Sequence, residues 1–245
     1  MVFAVLLCAD CGGKKAAPEK KDDVNDFANL IAAVKNGDLE GVKKLLATFT
    51  DLDASDLSGY TPLHYAAEGG FKEAAELLIA KGVKVDARDL KEKTPLYMAV
   101  EKNDIGLAEI LIAKGADVHA QSNEGMTPLH SAASEGKRDT AAMLIAKGAN
   151  VNAADRDGFT PLHQAARGNH RDAAALLIDK GANVNAKTNS QVVPLHIAAN
   201  YGHKDVVELL IARKADINAK DDEGITPIQL AEKNGHAAVA ALLKK

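Results

Sequence analysis

An all-α repeat solenoid is the fold class this sequence predicts, and three observations predict it. Six near-copies of one tetrapeptide recur: Thr61-Pro62-Leu63-His64, Thr94-Pro95-Leu96-Tyr97, Thr127-Pro128-Leu129-His130, Thr160-Pro161-Leu162-His163, Val193-Pro194-Leu195-His196 and Thr226-Pro227-Ile228-Gln229. Every interval is 33 residues, with no insertion or deletion between positions 61 and 229, and a fixed period of that size marks a stacked repeat array. Within each period, two short stretches carry apolar residues at helical spacing between residues that start and stop helices.

The first period shows the unit. Thr61 can accept a hydrogen bond from the backbone at a helix start, and Pro62 fits the first helical position, where no N–H is missed. Leu63, Ala66 and Ala67 follow at helical spacing, and Gly70 ends the turn. A second helix begins near Lys72 and carries Ala74, Ala75, Leu77, Leu78 and Ile79 before Gly82, a residue suited to the left-handed conformation past a helix end. Val85-Asp86-Ala87 then leads through a polar loop to the next Thr-Pro. Helices of about 8 to 10 residues fall short of the roughly 12 to 15 that an isolated helix needs in water, so stacking must stabilise them.

The pattern Gly-x-Thr-Pro-Leu-His-x-Ala-Ala, followed by Leu-Leu-Ile-Ala-x-Gly-Ala-x-Val-Asn-Ala, resembles the ankyrin repeat. The likeness covers about residues 27 to 245. It implies helix-turn-helix units joined by β-hairpin loops, a concave face lined by loop tips and first helices, and a motif histidine bonded to backbone of the neighbouring loop. It also implies that the residues varying from unit to unit on that face contact a partner protein.

In chain order, residues 1–25 read as a disordered tail or a degenerate signal of lipoprotein type. Met1 to Leu7 is apolar, and Cys8-Ala9-Asp10-Cys11-Gly12-Gly13-Lys14-Lys15 precedes a polar tether. This resembles the start of a bacterial lipoprotein, with Cys11 as the lipidated residue. The departures are Asp10, where that family has a small residue, Cys8, where Leu is usual, and the lack of Lys or Arg before the apolar part. Membrane attachment is expected only through this segment. The cytoplasm is the favoured compartment, with the bacterial cell envelope or secretion as the alternative.

The repeat domain is expected over 26–245. Residues 26–50 form an N-terminal cap that keeps Leu30, Ala32, Ala33 and Gly37 in register but lacks Thr-Pro, with Lys43 and Lys44 at otherwise apolar positions. Repeats follow at 51–84, 85–117, 118–150, 151–183 and 184–216, and a polar C-terminal cap at 217–245 has Glu232 in place of Ala and ends in Lys244-Lys245. The loop glycine series runs Gly59, Glu92, Gly125, Gly158, Gln191, Gly224. The repeat at 184–216 has lost this glycine, the capping Thr (Val193) and the helix-ending Gly (Lys214), which makes it the loosest internal repeat by expectation. Hydrogen exchange should find Val193 to Lys214 less protected than Thr127 to Gly148.

Composition narrows function. Lys plus Arg number 30 against 34 Asp plus Glu, a formal charge of −4 with no solid basic run, so nucleic acid is not the expected partner. Both cysteines precede residue 12, leaving the array without a thiol for zinc or nucleophilic chemistry. His64, His130, His163 and His196 recur at the period, and His170, His203 and His236 form a second row. Stacked helices lie about 8 to 10 Å apart, whereas two ligands of one zinc ion lie at most about 4 Å from each other, so these rows are architectural. Asp155-Arg156-Asp157-Gly158 and Asp221-Asp222-Glu223-Gly224 lack the remaining ligands of a calcium loop. No phosphate loop, His-Glu-x-x-His or nucleophile elbow occurs. No catalytic residue, metal, cofactor or small-molecule substrate is expected.

What remains is the surface not needed for stacking. The position before each Thr reads Tyr60, Lys93, Met126, Phe159, Val192 and Ile225, and the position after the motif reads Tyr65, Met98, Ser131, Gln164, Ile197 and Leu230. Apolar side chains flanked by mixed polar ones suit a protein contact. Tyr60, Tyr65, Met98, Met126, Phe159, Gln164 and Arg167 are the expected partner-binding centre. The expected function is binding another protein through the concave face. The alternatives are a non-catalytic inhibitor or secreted effector that occludes an enzyme, and a passive spacer.

Overall fold

The computed structural model describes residues 21–49 and 51–244. The described residues form fourteen α-helices and no strand. The chain divides into two compact units, Met1–Asn123 and Glu124–Lys245.

Unit one holds α1 (Lys21–Lys35), α2 (Leu39–Leu45), α3 (Pro62–Gly69), α4 (Lys72–Ala80), α5 (Pro95–Glu101) and α6 (Ile105–Ala113). First helices pack in a row, α1 on α3 on α5, and second helices in a parallel row, α2 on α4 on α6. The first helix, α1, begins at Lys21, ahead of the boundary at residue 26, so residues 21–25 are helical rather than tail. Polar composition hid this, because a helix anchored downstream by buried Phe27, Leu30 and Val34 can extend into polar sequence. The expectations for residues 1–20, including lipidation of Cys11, lie outside the described residues. Phe27 and Phe49 meet with ring centres 6.3 Å apart, and Lys43 and Lys44 face solvent as expected of a cap.

Unit two holds α7 (Pro128–Ser134), α8 (Arg138–Ala146), α9 (Pro161–Arg167), α10 (Arg171–Asp179), α11 (Pro194–Asn200), α12 (Lys204–Ala212), α13 (Pro227–Lys233) and α14 (Ala237–Leu243). Here α7, α9, α11 and α13 pack in sequence, backed by α8, α10, α12 and α14. In both units the motif leucine is buried, as at Leu63, Leu96, Leu129, Leu162 and Leu195, and so are the alanine pairs behind it. Small alanines let helices approach, and the leucines fill the space between, which is close packing achieved at a 33-residue period. Glu232 is exposed and pairs with Lys244 at 3.0 Å, closing the last repeat in polar groups.

At Thr61, Thr127 and Thr160 the Thr-Pro corner is a capping box with histidine in the third position; at Thr94 the hydroxyl accepts from the Tyr97 N–H, at Thr226 the partner is Gln229, and Val193 supplies no hydroxyl. Thr61 N–H donates to His64 Nδ1 at 3.2 Å, and the His64 N–H donates to the Thr61 hydroxyl at 3.4 Å. Because Nδ1 accepts, the ring proton sits on Nε2, which donates to the Lys93 carbonyl in the next hairpin at 3.1 Å. His130 reaches the Phe159 carbonyl at 3.0 Å, His163 that of Val192 at 3.1 Å and His196 that of Ile225 at 3.0 Å. The second row does the same work from the outer helices: Nε2 of His170, His203 and His236 bonds the carbonyls of Ser134, Arg167 and Asn200 at 2.9, 3.0 and 3.0 Å.

Between helices, the hairpins at Asp56, Asp89, Asp155 and Asp221 close on an Asx-type turn, and the one at Thr188 on its hydroxyl, with no strand among the described residues. Asp56 N–H donates to the Tyr60 carbonyl at 3.0 Å, and the Asp56 carboxylate accepts from the N–H groups of Ser58 and Tyr60 at 2.8 and 3.0 Å. Asp155 and Asp221, considered above in calcium-like loops, hold the same turn through the amides of Asp157 and Phe159, and of Glu223 and Ile225. Their carboxylates serve backbone amides.

The turn geometry also exposes where the sequence strains. Glu92, Gln191 and Lys214 adopt φ of 59°, 60° and 65°, the left-handed region that their counterparts fill with glycine. The two hairpin positions are braced from four residues upstream, with Arg88 reaching Glu92 at 2.9 Å and Lys187 reaching Gln191 at 3.0 Å. Among the described residues no side-chain hydrogen bond braces Lys214, and at the matching Gly82, Gly115, Gly148 and Gly181 an added Cβ would meet nothing within 4 Å. The cost at Lys214 is therefore backbone strain alone. Lys214→Gly is expected to raise unfolding stability by about 0.5–1 kcal/mol, the net of relieved left-handed strain and added unfolded-state entropy; an unchanged urea midpoint would contradict this.

Candidate functional site

The first helices and hairpin tips of each unit carry the side chains that stacking does not use. In unit one, Tyr60 and Tyr65 are half-buried with ring centres 5.2 Å apart. Tyr65 donates its hydroxyl to the Asp56 carboxylate, and Lys35 Nζ sits 4.0 Å from the centre of its ring. The Tyr60 hydroxyl lies 3.8 Å from Met98 Sδ, and Met98 itself is only 4% exposed. Met98 thus supports Tyr60 from below instead of presenting a surface of its own. Burial raises the Tyr60 pKa, reinforced by Glu68, Asp89, Glu101 and Asp56, and burial with the Asp56 hydrogen bond raises that of Tyr65. Both phenols are hydrogen-bonding groups at neutral pH, not acids.

A recess of about 320 Å³ opens between adjacent hairpins of unit one, lined by Ser58, Tyr60, Asp89, Leu90, Lys91 and Lys93. Leu90 is 74% exposed at its rim, and Leu57, one period earlier, is 63% exposed. Reading the hairpins only at the residue before Thr overlooked this pair. The signal was available, because the same position holds Asn123, Arg156, Asn189 and Asp222 elsewhere.

In unit two, Met126 and Phe159 are half-buried at their tips. The Phe159 ring stands edge-on to His163, with centres 5.6 Å apart, and the Arg167 guanidinium lies 5.6 Å from the Phe159 ring centre. Gln164 and Arg167 are consecutive turns of α9; Arg167 is exposed and Gln164 is 7% exposed. At the end of α11, Tyr201, not singled out in the sequence, is 49% exposed and stacks on His203 at 5.7 Å. The expected contact residues therefore divide between the units, Tyr60, Tyr65 and Met98 in unit one, and Met126, Phe159, Gln164 and Arg167 in unit two. Burial lowers the pKa of His64, His130, His163 and His196, and holds His163 at about 4. Among the described residues, no group of three or more His, Cys, Asp or Glu is placed to hold a metal ion.

Comparison with known proteins agrees with this geometry. A family model described as ankyrin repeats (3 copies) matches residues 30–122 and 107–188, and one described as ankyrin repeats (many copies) matches 177–231. Comparison with curated protein sequences gives no significant match. Among solved structures, the chain is similar to the ankyrin repeat domain of Bcl-3, described as a unique member of the IkappaB protein family. The identity is 29%, the alignment covers 89% of this chain and 98% of that one, and the TM-score is 0.78. With family models spanning most of its length over a repeat built as the motif requires, the chain belongs to the ankyrin repeat family.

Proposed function

We propose that this chain is a protein-binding module that grips a partner protein through the face made by its first helices and hairpin tips, and performs no chemistry of its own. One observation carries the reading. Side chains on that face are partly exposed, chemically varied and anchored on buried, fully bonded elements, as at Phe159 and Arg167 over the α9 corner. A surface ordered before binding loses little side-chain freedom on association, so more of the contact energy appears as affinity.

Replacing Met126 and Phe159 together with aspartate tests it. Capture of the partner from host extract should fall by tenfold or more while circular dichroism stays helical. A passive spacer would be indifferent to the substitutions, and unchanged capture of every bound protein would refute the proposal.

A further inference from the structure

The row one helical turn past the motif changes character along the sequence. In unit one it is acidic and internally satisfied: Glu101 pairs with Lys93 at 2.7 Å, and Glu68 with Lys102 at 3.7 Å. In unit two it reads Ser134, Arg167, Asn200 and Lys233, and no ion pair among the described residues engages Arg167 or Lys233. The carboxylate at the end of α7, Glu135, is already taken by Lys137 at 2.6 Å and approached by the Ser131 hydroxyl at 3.4 Å. Arg167 rests on Phe159, a contact that orients the guanidinium without neutralising it.

One turn back on the same helix, Gln164 is 7% exposed, and no hydrogen bond to its side-chain amide occurs among the described residues. No fully buried side-chain nitrogen or oxygen among the described residues lacks a partner, so the small exposed part of Gln164 includes its amide atoms. Those atoms meet water, so a ligand group that reaches them replaces a water hydrogen bond with a direct one. A guanidinium presents donors in a planar fork that matches a carboxylate, and bonds between the two are stronger than neutral ones. Phe159 lies under the guanidinium, and the helix end that carries it is held by His203, whose Nε2 bonds the Arg167 carbonyl at 3.0 Å.

We infer that unit two receives an acidic side chain, Asp or Glu, from the partner protein, with Arg167 and Gln164 holding the carboxylate and Phe159 beneath the guanidinium. This rests on the protein-binding reading above and adds the chemistry of the contact. The chain as a whole carries −4, so the attraction is local to this face and selects one carboxylate rather than an acidic surface at large.

A phage-displayed random dodecapeptide library, selected in parallel on the immobilised full chain and on its Arg167→Glu variant, tests the inference. Wild-type selection should return peptides sharing Asp or Glu at one fixed position, and Arg167→Glu should return Lys or Arg there. A synthetic peptide from the wild-type pool should bind at least tenfold more weakly to Arg167→Ala, and equally so when its acidic residue is changed to the amide. The thermal unfolding curves of the Arg167 variants should overlay wild type, since this side chain is exposed. Enriched peptides without an acidic position, or equal affinity for Arg167→Ala, would overturn the inference while leaving protein binding intact. No enrichment on wild type at all would remove both.

Discussion

Leu162→Ala is expected to destabilise unit two by about 3 kcal/mol, within the range of roughly 2 to 5 kcal/mol for truncating a buried leucine. Leu162 is fully buried on α9, and α9 packs against α7, α10 and α11, so the vacated space borders three helices at once. Those neighbours cannot collapse into it easily. The helices α7 and α11 are each pinned at the corner by a proline and by a histidine whose ring bonds both its own cap and the next hairpin, and α10 is held at its start by His170, whose Nε2 bonds the Ser134 carbonyl. A repeat array is stabilised by nearest-neighbour interfaces, and Leu162 belongs to an internal unit that shares two of them. Urea unfolding measures the outcome, with Leu57→Ala as the comparison. Leu57 is 63% exposed, so its truncation should move the midpoint by no more than about 0.5 kcal/mol. A Leu162→Ala loss no larger than that of Leu57→Ala would contradict the packing described here.

The difference between these two leucines also marks what the sequence made legible. Leu162 was readable because its burial is encoded locally: it follows Thr-Pro, recurs at the period and faces alanines at helical spacing. The same periodicity exposed its own defects, and Glu92, Gln191 and Lys214 do occupy the left-handed region in place of glycine. Partner-facing residues were less legible, because a position's exposure depends on what the neighbouring repeats place beside it. Met98 occupies a variable position yet lies under the Tyr60 hydroxyl. Tyr201 occupies a position held elsewhere by Gly, Lys, Glu and Asn, and projects half into solvent because it stacks on the outer-row His203. Lys35 reaches Tyr65 from the cap helix, a contact across thirty residues of chain that no single period contains.

Acidification from pH 7.5 to 5 is expected to lower stability by about 2 kcal/mol through His163 alone, before the protonation of carboxylates begins to matter. The direction follows from where the proton is accommodated. In the unfolded chain the imidazole titrates near its ordinary value of about 6.5, whereas burial holds folded His163 at about 4, against the opposing pull of backbone hydrogen bonds at Val192 and Ala186. Between those two values the unfolded state binds more protons, so stability falls as pH falls through the window and is unaffected above it. The geometry explains why the folded state refuses the proton. Nδ1 already accepts from the Thr160 N–H at 3.1 Å and faces the Thr160 hydroxyl at 2.9 Å, so a proton there would oppose a donor and break the cap. His64, His130 and His196 are lowered by burial in the same direction, and each adds to the effect. The last repeat supplies the control: Gln229 Oε1 accepts from the Thr226 N–H at 2.8 Å and the hydroxyl at 3.1 Å, using a group that does not titrate. His163→Gln should therefore lose about 1 kcal/mol at pH 7.5, from the missing bond to the Val192 carbonyl, yet lose less than wild type on moving to pH 5. Urea titrations of both proteins at the two pH values decide it, and an identical pH-dependent loss in His163→Gln would show that the proton is bound elsewhere.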